Sequence, residues 1–128
     1  MKILVDLNVL LDVLGRRETH YEGSAEVWGA VERRDAEGLI AAHSITTLHY
    51  LIGRNVDGVT ADNVVQDCLK VFSIAAIGQD VIQEAIGYRW SDFENAVQMA
   101  VASRGRADYL VTRNPKDFEG GPVTVLQP

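Results

Sequence analysis

The chain contains very little cysteine and no long apolar run. Each of these absences excludes a class of protein. Its single cysteine, Cys68, excludes an internal disulfide and fits a reducing compartment. No apolar stretch approaches the length that crosses a bilayer. The short apolar run at the start is interrupted by Asp6, unlike the core of a signal peptide. We therefore expect a cytoplasmic protein that makes no use of a membrane.

Basic residues are also scarce, with 12 lysines and arginines against 18 acids and a formal charge of −6. This charge balance argues against the extended positively charged surface of a typical DNA-binding domain. It does not exclude a nucleic-acid enzyme in which metal ions offset the carboxylates of the site. Repeats, low-complexity tracts and linkers are absent, so residues 1–128 are expected to form a single domain.

Short apolar runs alternate along the chain with segments of helical periodicity. Strands are predicted at residues 3–5, 39–42, 72–77 and 108–112, with a fifth candidate at 123–126. Helices are predicted at residues 7–14, 20–37, 44–53, 61–71, 79–88 and 92–104, with Gly38 ending the second and Ser44 capping the third. This alternation predicts a three-layer α/β/α sandwich with a mostly parallel central sheet of four to five strands.

Asp6 follows the first apolar run directly. Ile3, Leu4 and Val5 show no polar alternation, so the run is typical of a strand buried on both faces. Ligands of open α/β sheets bind outside the carboxyl ends of the strands, where Asp6 would lie. Asn8 could approach the same edge. The alternative is that Asp6 only caps the helix that follows.

A second candidate segment begins at Asp92. On a helical wheel, Asp92 and Asn95 lie one turn apart at the edge of a buried face, and Glu94 lies on the other side. Asp92 and Asn95 are therefore expected to point together into a cleft beside the sheet, with Glu94 solvated or part of a cap. The alternative is that Asp92 or Ser91 merely caps the helix.

A third segment leaves the fourth strand and forms a polar loop. Loops after parallel strands carry function disproportionately, which favours a site over a simple turn closed by Asn-Pro and capped by Asp117. Its candidate site residues are Thr112, Arg113, Asn114, Lys116 and Asp117. Arg113 or Lys116 could contact phosphate groups.

Carboxylates that converge from separate strands repel one another unless a cation neutralises them. Mg²⁺ or Mn²⁺ would do so, because these ions prefer oxygen ligands and retained water. Such a site activates a water molecule and stabilises the charge that builds on a phosphodiester.

Three segments together resemble the PIN-domain family, specifically the small VapC-like ribonucleases of bacterial toxin–antitoxin pairs. They read ILVDLNVLLD at residues 3–12, DFENA at 92–96 and ADYLVTRNPKDF at 107–118. The resemblance implies a parallel sheet flanked by helices and a metal-dependent endoribonuclease with acids at the carboxyl edge of the sheet. It also implies an RNA substrate, a small antitoxin partner and frequent homodimers.

On this hypothesis Asp6 and Asp92 bind the metal, and Asp117 binds the metal or orients the water. Four neighbours assist by hydrogen bonding: Asn8, Asn95, Thr112 and Asn114.

The sequence also departs from the pattern of that family. The usual glutamate after the second strand is missing from residues 44–51, where His49 or Tyr50 stands nearest its place. Asn95 replaces the central acid, and Asn114 stands where many members carry aspartate. A site with fewer anionic ligands should hold Mg²⁺ more weakly.

Two alternatives remain open at this point. The acid losses favour a PIN-like module that binds RNA or a partner protein without cleaving anything. A phosphoacceptor signalling domain is also small, acidic and α/β, and Asp80 after the third strand would be its acceptor. It ranks last, because Asp6 has no adjacent acid.

Overall fold

A central sheet of five parallel strands organises the fold, and a computed structural model describes all 128 residues. The strand order across the sheet is β3-β2-β1-β4-β5. The strands are β1 (Lys2–Val5), β2 (Glu37–Ala41), β3 (Ser73–Ala75), β4 (Tyr109–Val111) and β5 (Thr124–Leu126). All four neighbouring pairs are parallel, which confirms the predicted sheet.

Six α-helices connect the strands, and one 3₁₀ turn follows β4. The helices are α1 (Leu7–Leu14), α2 (Tyr21–Glu32), α3 (Ala42–Asn55), α4 (Gly58–Val71), α5 (Gln79–Tyr88) and α6 (Phe93–Arg104); the 3₁₀ turn is Pro115–Phe118. No helix combines the length and the apolar character needed to cross a membrane.

Two hydrophobic cores lie on opposite faces of the sheet and make it the middle layer of three. Leu4 of β1 belongs to the core that contains the buried residues of α5 and α6. Ile3 and Val5 belong to the other core, with residues of α1, α2, α3 and α4. Successive side chains of a strand point to opposite faces, so an unbroken apolar run fills both cores. The three-layer α/β/α architecture is therefore confirmed.

The junction between α2 and β2 differs from the prediction. Helix α2 ends at Glu32, and Gly38 lies within β2, opposite Ile3. A Cβ atom at Gly38 would lie 2.6 Å from Cδ1 of Phe72 and 2.7 Å from Cγ1 of Val31. Gly38 is therefore required for close packing of the strand and does not end the helix.

The start of α3 also differs from the prediction. The helix begins at Ala42, immediately after β2, and Ala41 occupies the N-cap position. Ser44 therefore lies within the first turn. Its hydroxyl donates to Oε1 of Gln98 at 3.4 Å instead of capping the helix.

The chain reverses its direction of travel across the sheet at β1. Strand β2 pairs with one edge of β1 and β4 with the other. In open parallel sheets a crevice forms where the strand order reverses, at the carboxyl ends of the strands. The topology therefore places the end of β1, and Asp6 with it, at the expected position of a ligand site.

Candidate active site

A cavity of about 190 Å³ opens at this carboxyl edge. Four parts of the chain form its walls: the β1–α1 junction, the start of α3, the first half of α6 and the segment after β4. The polar residues that line it are Asp6, Asn8, His43, Ser44, Glu94, Asn95, Gln98, Asn114 and Asp117. Three of these are acids, and they come from three separate elements.

The segment after β4 holds the carboxylate of Asp6 in place. Asp6 occupies the N-cap position of α1, but its side chain makes no capping hydrogen bond. The hydroxyl of Thr112 instead donates to Oδ2 of Asp6 at 2.8 Å. The backbone N–H of Asn114 donates to the same hydroxyl at 3.1 Å, which orients it. Thr112 is fully buried, so this contact is a fixed part of the site.

The surroundings of Asp6 disfavour its negative charge. Burial raises the pKa of Asp6, because the ionised form loses hydration, and the negative charge of Asp117 adds to the rise. The Thr112 hydrogen bond and the positive charge of Arg113 partly oppose it. A cation in the cavity would relieve this unfavourable energy.

The raised pKa of Asp6 predicts a pH-dependent stability difference. The contribution of Asp6 to stability is fully present below its ordinary pKa of 3.8 and is lost as pH rises through the higher folded-state value. Asp6→Asn removes the charge, and its amide oxygen can still accept from Thr112. In metal-free buffer, the free energy of unfolding of the variant relative to the wild type should therefore rise as the pH increases from below 3.8 through the folded-state pKa of Asp6. Urea unfolding at several pH values measures this, and a pH-independent difference would contradict it.

Asp92 and Asn95 line one cavity together, as the helical wheel predicts, but this cavity adjoins the one that contains Asp6. Asp92 is the N-cap of α6, and its Oδ1 accepts from the backbone N–H of Asn95 at 3.1 Å. Glu94, expected on the other side, lines the cavity with Asp6. Asp92 does not, because an N-cap side chain turns towards its own helix. The role of Asp92 as a metal ligand stays a prediction that this placement does not support.

Most of the other site candidates are brought together. Asn8, Asn95, Asn114 and Asp117 line the cavity with Asp6. Lys116 is exposed and lines the adjoining cavity.

Arg113 contacts another part of the molecule. Its Nε lies 2.8 Å from Oδ2 of Asp12, which is fully buried in α1. The hydroxyl of Ser24 donates to the same carboxylate oxygen at 3.0 Å. Arg113 is therefore committed to an internal ion pair. The expectation that it is free to contact phosphate is not supported.

Three lining residues were missed from the sequence. His43 and Ser44 lie just after β2, at the same carboxyl edge, and Gln98 is a buried polar residue on the otherwise apolar face of α6. Nδ1 of His43 and Nε2 of Gln98 are buried without a hydrogen-bond partner. Burial lowers the pKa of His43, with the carboxylates of Glu94 and Asp6 opposing the shift. The signal available in the sequence was a polar pair directly after an apolar strand.

Two other candidates lie apart from the cavity. Nε2 of His49 lies 2.7 Å from Oδ1 of Asp62, so His49 links α3 to α4 at the surface. Asp80 lies in the first turn of α5 and lines a different cavity with Lys2 and Gly105. Nothing places it near Asp6, which removes the arrangement required of a phosphoacceptor domain.

The family profile described as the PIN domain matches residues 2–116. This match covers most of the chain, including every residue that lines the cavity except Asp117 and Phe118. The chain belongs to the PIN domain family. The earlier resemblance is confirmed at this level.

Known relatives of this PIN domain agree with the fold. It is 22% identical over 130 residues to Ribonuclease VapC1 of Aquifex aeolicus (strain VF5), covering 98% of this chain and 89% of that protein. A Rickettsia felis VapBC2 structure, bound to a promoter DNA fragment, matches with a TM-score of 0.77 and 14% identity, covering 100% of this chain and 99% of that one. A Klebsiella pneumoniae toxin–antitoxin complex matches with a TM-score of 0.72 and 24% identity over 97% and 95% of the two chains.

The donor set of the cavity fits a hard divalent cation. Its candidate ligands are carboxylate, amide and hydroxyl oxygens, and the only thiol, Cys68, is buried in the other core. No three side chains of histidine, cysteine, aspartate or glutamate lie close enough to form a complete protein cage. Mg²⁺ does not require one, because it is commonly bound by one or two carboxylates, retained water and substrate phosphates.

Proposed function

We propose that this PIN domain is a metal-dependent endoribonuclease that hydrolyses RNA phosphodiester bonds and is the toxin of a toxin–antitoxin pair. The observation that carries the proposal is the cavity at the end of β1, where Asp6, Glu94 and Asp117 line one small space. Three acids from separate elements gain no stability from sharing a cavity unless a cation joins them. The name of the Aquifex aeolicus relative, a ribonuclease, supports RNA as the substrate.

Asp6 would be the principal ligand of Mg²⁺ or Mn²⁺, and Glu94 and Asp117 would add negative charge to the cavity around it. When bound, the cation supplies positive charge that stabilises the developing negative charge on the phosphodiester. The chain itself contributes orientation. Thr112 fixes the carboxylate of Asp6, while Asn8, Asn95 and Asn114 offer hydrogen bonds to substrate or water around it. Asp92 is assigned to the cap of α6.

The partners proposed for this chain follow from its relatives. The Klebsiella pneumoniae structure is a toxin–antitoxin complex and the Rickettsia felis structure is a VapBC2 assembly on DNA. We therefore propose a small antitoxin protein as the partner that restrains the nuclease. We also propose that this chain forms a homodimer and is located in the cytoplasm.

Cleavage of single-stranded RNA by the purified chain tests the function. We expect endonucleolytic products with Mg²⁺ or Mn²⁺ and none with a chelator, because the carboxylates of the cavity need a cation to act on a phosphodiester. Products are separated on denaturing gels, with an end-labelled RNA to distinguish internal cuts from trimming. Cleavage that persists unchanged in the chelator would contradict the metal-dependent mechanism.

A second candidate function has one specific observation in its favour. Asn95 offers an amide where the family usually has an acid, and no complete three-ligand group is present. A PIN module that binds RNA or a partner protein without cleavage is compatible with this. RNA binding that is unaffected by chelator, with no cleavage under any metal condition, would favour it over the nuclease.

A further inference from the structure

A second cavity, of about 360 Å³, adjoins the candidate active site. The two cavities share Asn95 and Asp117. The remaining walls of the second cavity are formed by Trp90, Ser91, Asp92, Lys116 and Glu119. Because the cavities share side chains, an extended chain bound beside Asp6 can continue into the second one.

Trp90 is the only hydrophobic residue in the walls of this second cavity. Its ring is held by two aromatic neighbours, Tyr88 at a centroid distance of 5.3 Å and Phe118 at 6.3 Å. The ring is half-buried, so one part of it packs against the core while another part faces the cavity. Fixed aromatic rings in polar grooves are the usual stacking platforms for unpaired nucleobases.

The polar walls of this cavity suit a base better than a phosphate. Asp92, Asp117 and Glu119 contribute three carboxylates, and Lys116 is the single cation. Phosphate attraction therefore cannot provide most of the binding energy. Carboxylates accept hydrogen bonds from the N–H groups on base edges. Guanine presents adjacent N–H donors that match a carboxylate, whereas uracil presents only one.

We propose that this second cavity is a subsite for one nucleotide of single-stranded RNA next to the scissile phosphate. The base stacks on Trp90, Asp92 and Glu119 accept from its edge, and Lys116 contacts the adjoining phosphate. The subsite selects guanine over uracil. This inference rests on the proposed ribonuclease function and adds to it a determinant of sequence preference.

Nucleotide titration followed by NMR tests the subsite independently of cleavage. The chain has two tryptophans and so gives two indole N–H resonances, and Trp28→Phe identifies the one that belongs to Trp90. The probes are guanosine 5′-monophosphate, uridine 5′-monophosphate and ribose 5-phosphate, which has no base. We expect the guanine nucleotide to shift the Trp90 resonance and to bind about 5- to 150-fold more tightly than ribose 5-phosphate. An unmoved Trp90 resonance, or equal responses to the three probes, would overturn the subsite.

Cleavage kinetics of Trp90 variants provide a second test of the subsite. Trp90→Leu should raise KM for a guanine-containing RNA by about tenfold with little change in kcat, since stacking holds the substrate but is not part of the chemistry. Trp90→Phe keeps a ring and should restore most of the affinity. Trp28→Phe, far from the cavity in the other core, is the matched control, and thermal melting confirms that each variant folds.

The two proposals fail in distinguishable ways. If the wild type cleaves RNA and Trp90→Leu behaves identically, the subsite is overturned and the nuclease stands. If no RNA is cleaved but the Trp90 resonance responds selectively to the guanine nucleotide, the nuclease is overturned and the nucleotide site stands.

Discussion

Asp6→Asn is expected to lower kcat for RNA cleavage by roughly 10²–10³-fold or more, an effect comparable to removing a principal electrostatic contact of a reaction site. Asp6 is the acid at the end of the central strand, and its carboxylate is fixed by the hydroxyl of Thr112. The asparagine side chain keeps nearly the same shape and can keep that hydrogen bond, but it removes the negative charge that would hold the cation. Single-turnover cleavage assays at saturating Mg²⁺ measure the loss.

Asp92→Asn makes the same chemical change at the N-cap of α6 and is the matched control. Asparagine caps helices as well as aspartate does, so the start of α6 should be retained. Since Asp92 lies outside the cavity that contains Asp6, kcat at saturating RNA should remain within a few-fold of the wild type. Any loss should appear in KM, because Asp92 lines the second cavity. If Asp92→Asn abolished cleavage and Asp6→Asn did not, the assignment of acids derived from the geometry would be wrong.

Asp12→Ala is expected to destabilise the fold by about 3–5 kcal/mol, the range for breaking a buried ion pair by removing one partner. Asp12 is 0% exposed and pairs with Arg113, whose side chain is 20% exposed, at 2.8 Å. The substitution leaves a poorly hydrated guanidinium without its counter-charge and removes the acceptor for the hydroxyl of Ser24. Urea unfolding at neutral pH gives the change in free energy of unfolding.

Asp35→Ala provides the comparison for that loss. Asp35 pairs with Arg33 at 3.1 Å, but its side chain is 64% exposed. Exposed pairs of this kind are worth about 0–1 kcal/mol. Equal losses in the two variants would show that the Asp12–Arg113 pair is not buried as described. Because Arg113 lies between Thr112 and Asn114, the loss of Asp12 should also loosen the hydrogen bonds that fix Asp6.

The position of Asp6 could be predicted from the local sequence pattern. The unbroken run Ile3, Leu4 and Val5 identified a strand buried on both faces, and the alternation of strands and helices required parallel pairing. From these two facts the place of Asp6 at the carboxyl edge follows without any knowledge of distant contacts. The bounds of α1 and α5 were likewise predictable, because each has an uninterrupted helical pattern.

The local sequence pattern did not predict the contacts of side chains that could reach more than one partner. Asp92 and Asn95 share a cavity, as the helical wheel predicted, but it is the adjoining one. The acid of this segment that lines the cavity with Asp6 is Glu94, which the wheel had placed on the other side. The residues next to Arg113 in the sequence suggested that it contacts phosphate. Its partner is Asp12, from a helix near the other end of the chain.

The sequence by itself therefore determined the parallel sheet, the family and the place of Asp6, because these depend on periodicity and on short motifs. Only the tertiary structure decided which residues share a cavity with Asp6. It added His43 and Gln98, set Asp92 apart, and committed Arg113 to Asp12. The physical reason is that each of these outcomes depends on which groups from distant segments meet in space. Burial and hydrogen bonding then select one partner among several that local spacing leaves equally open.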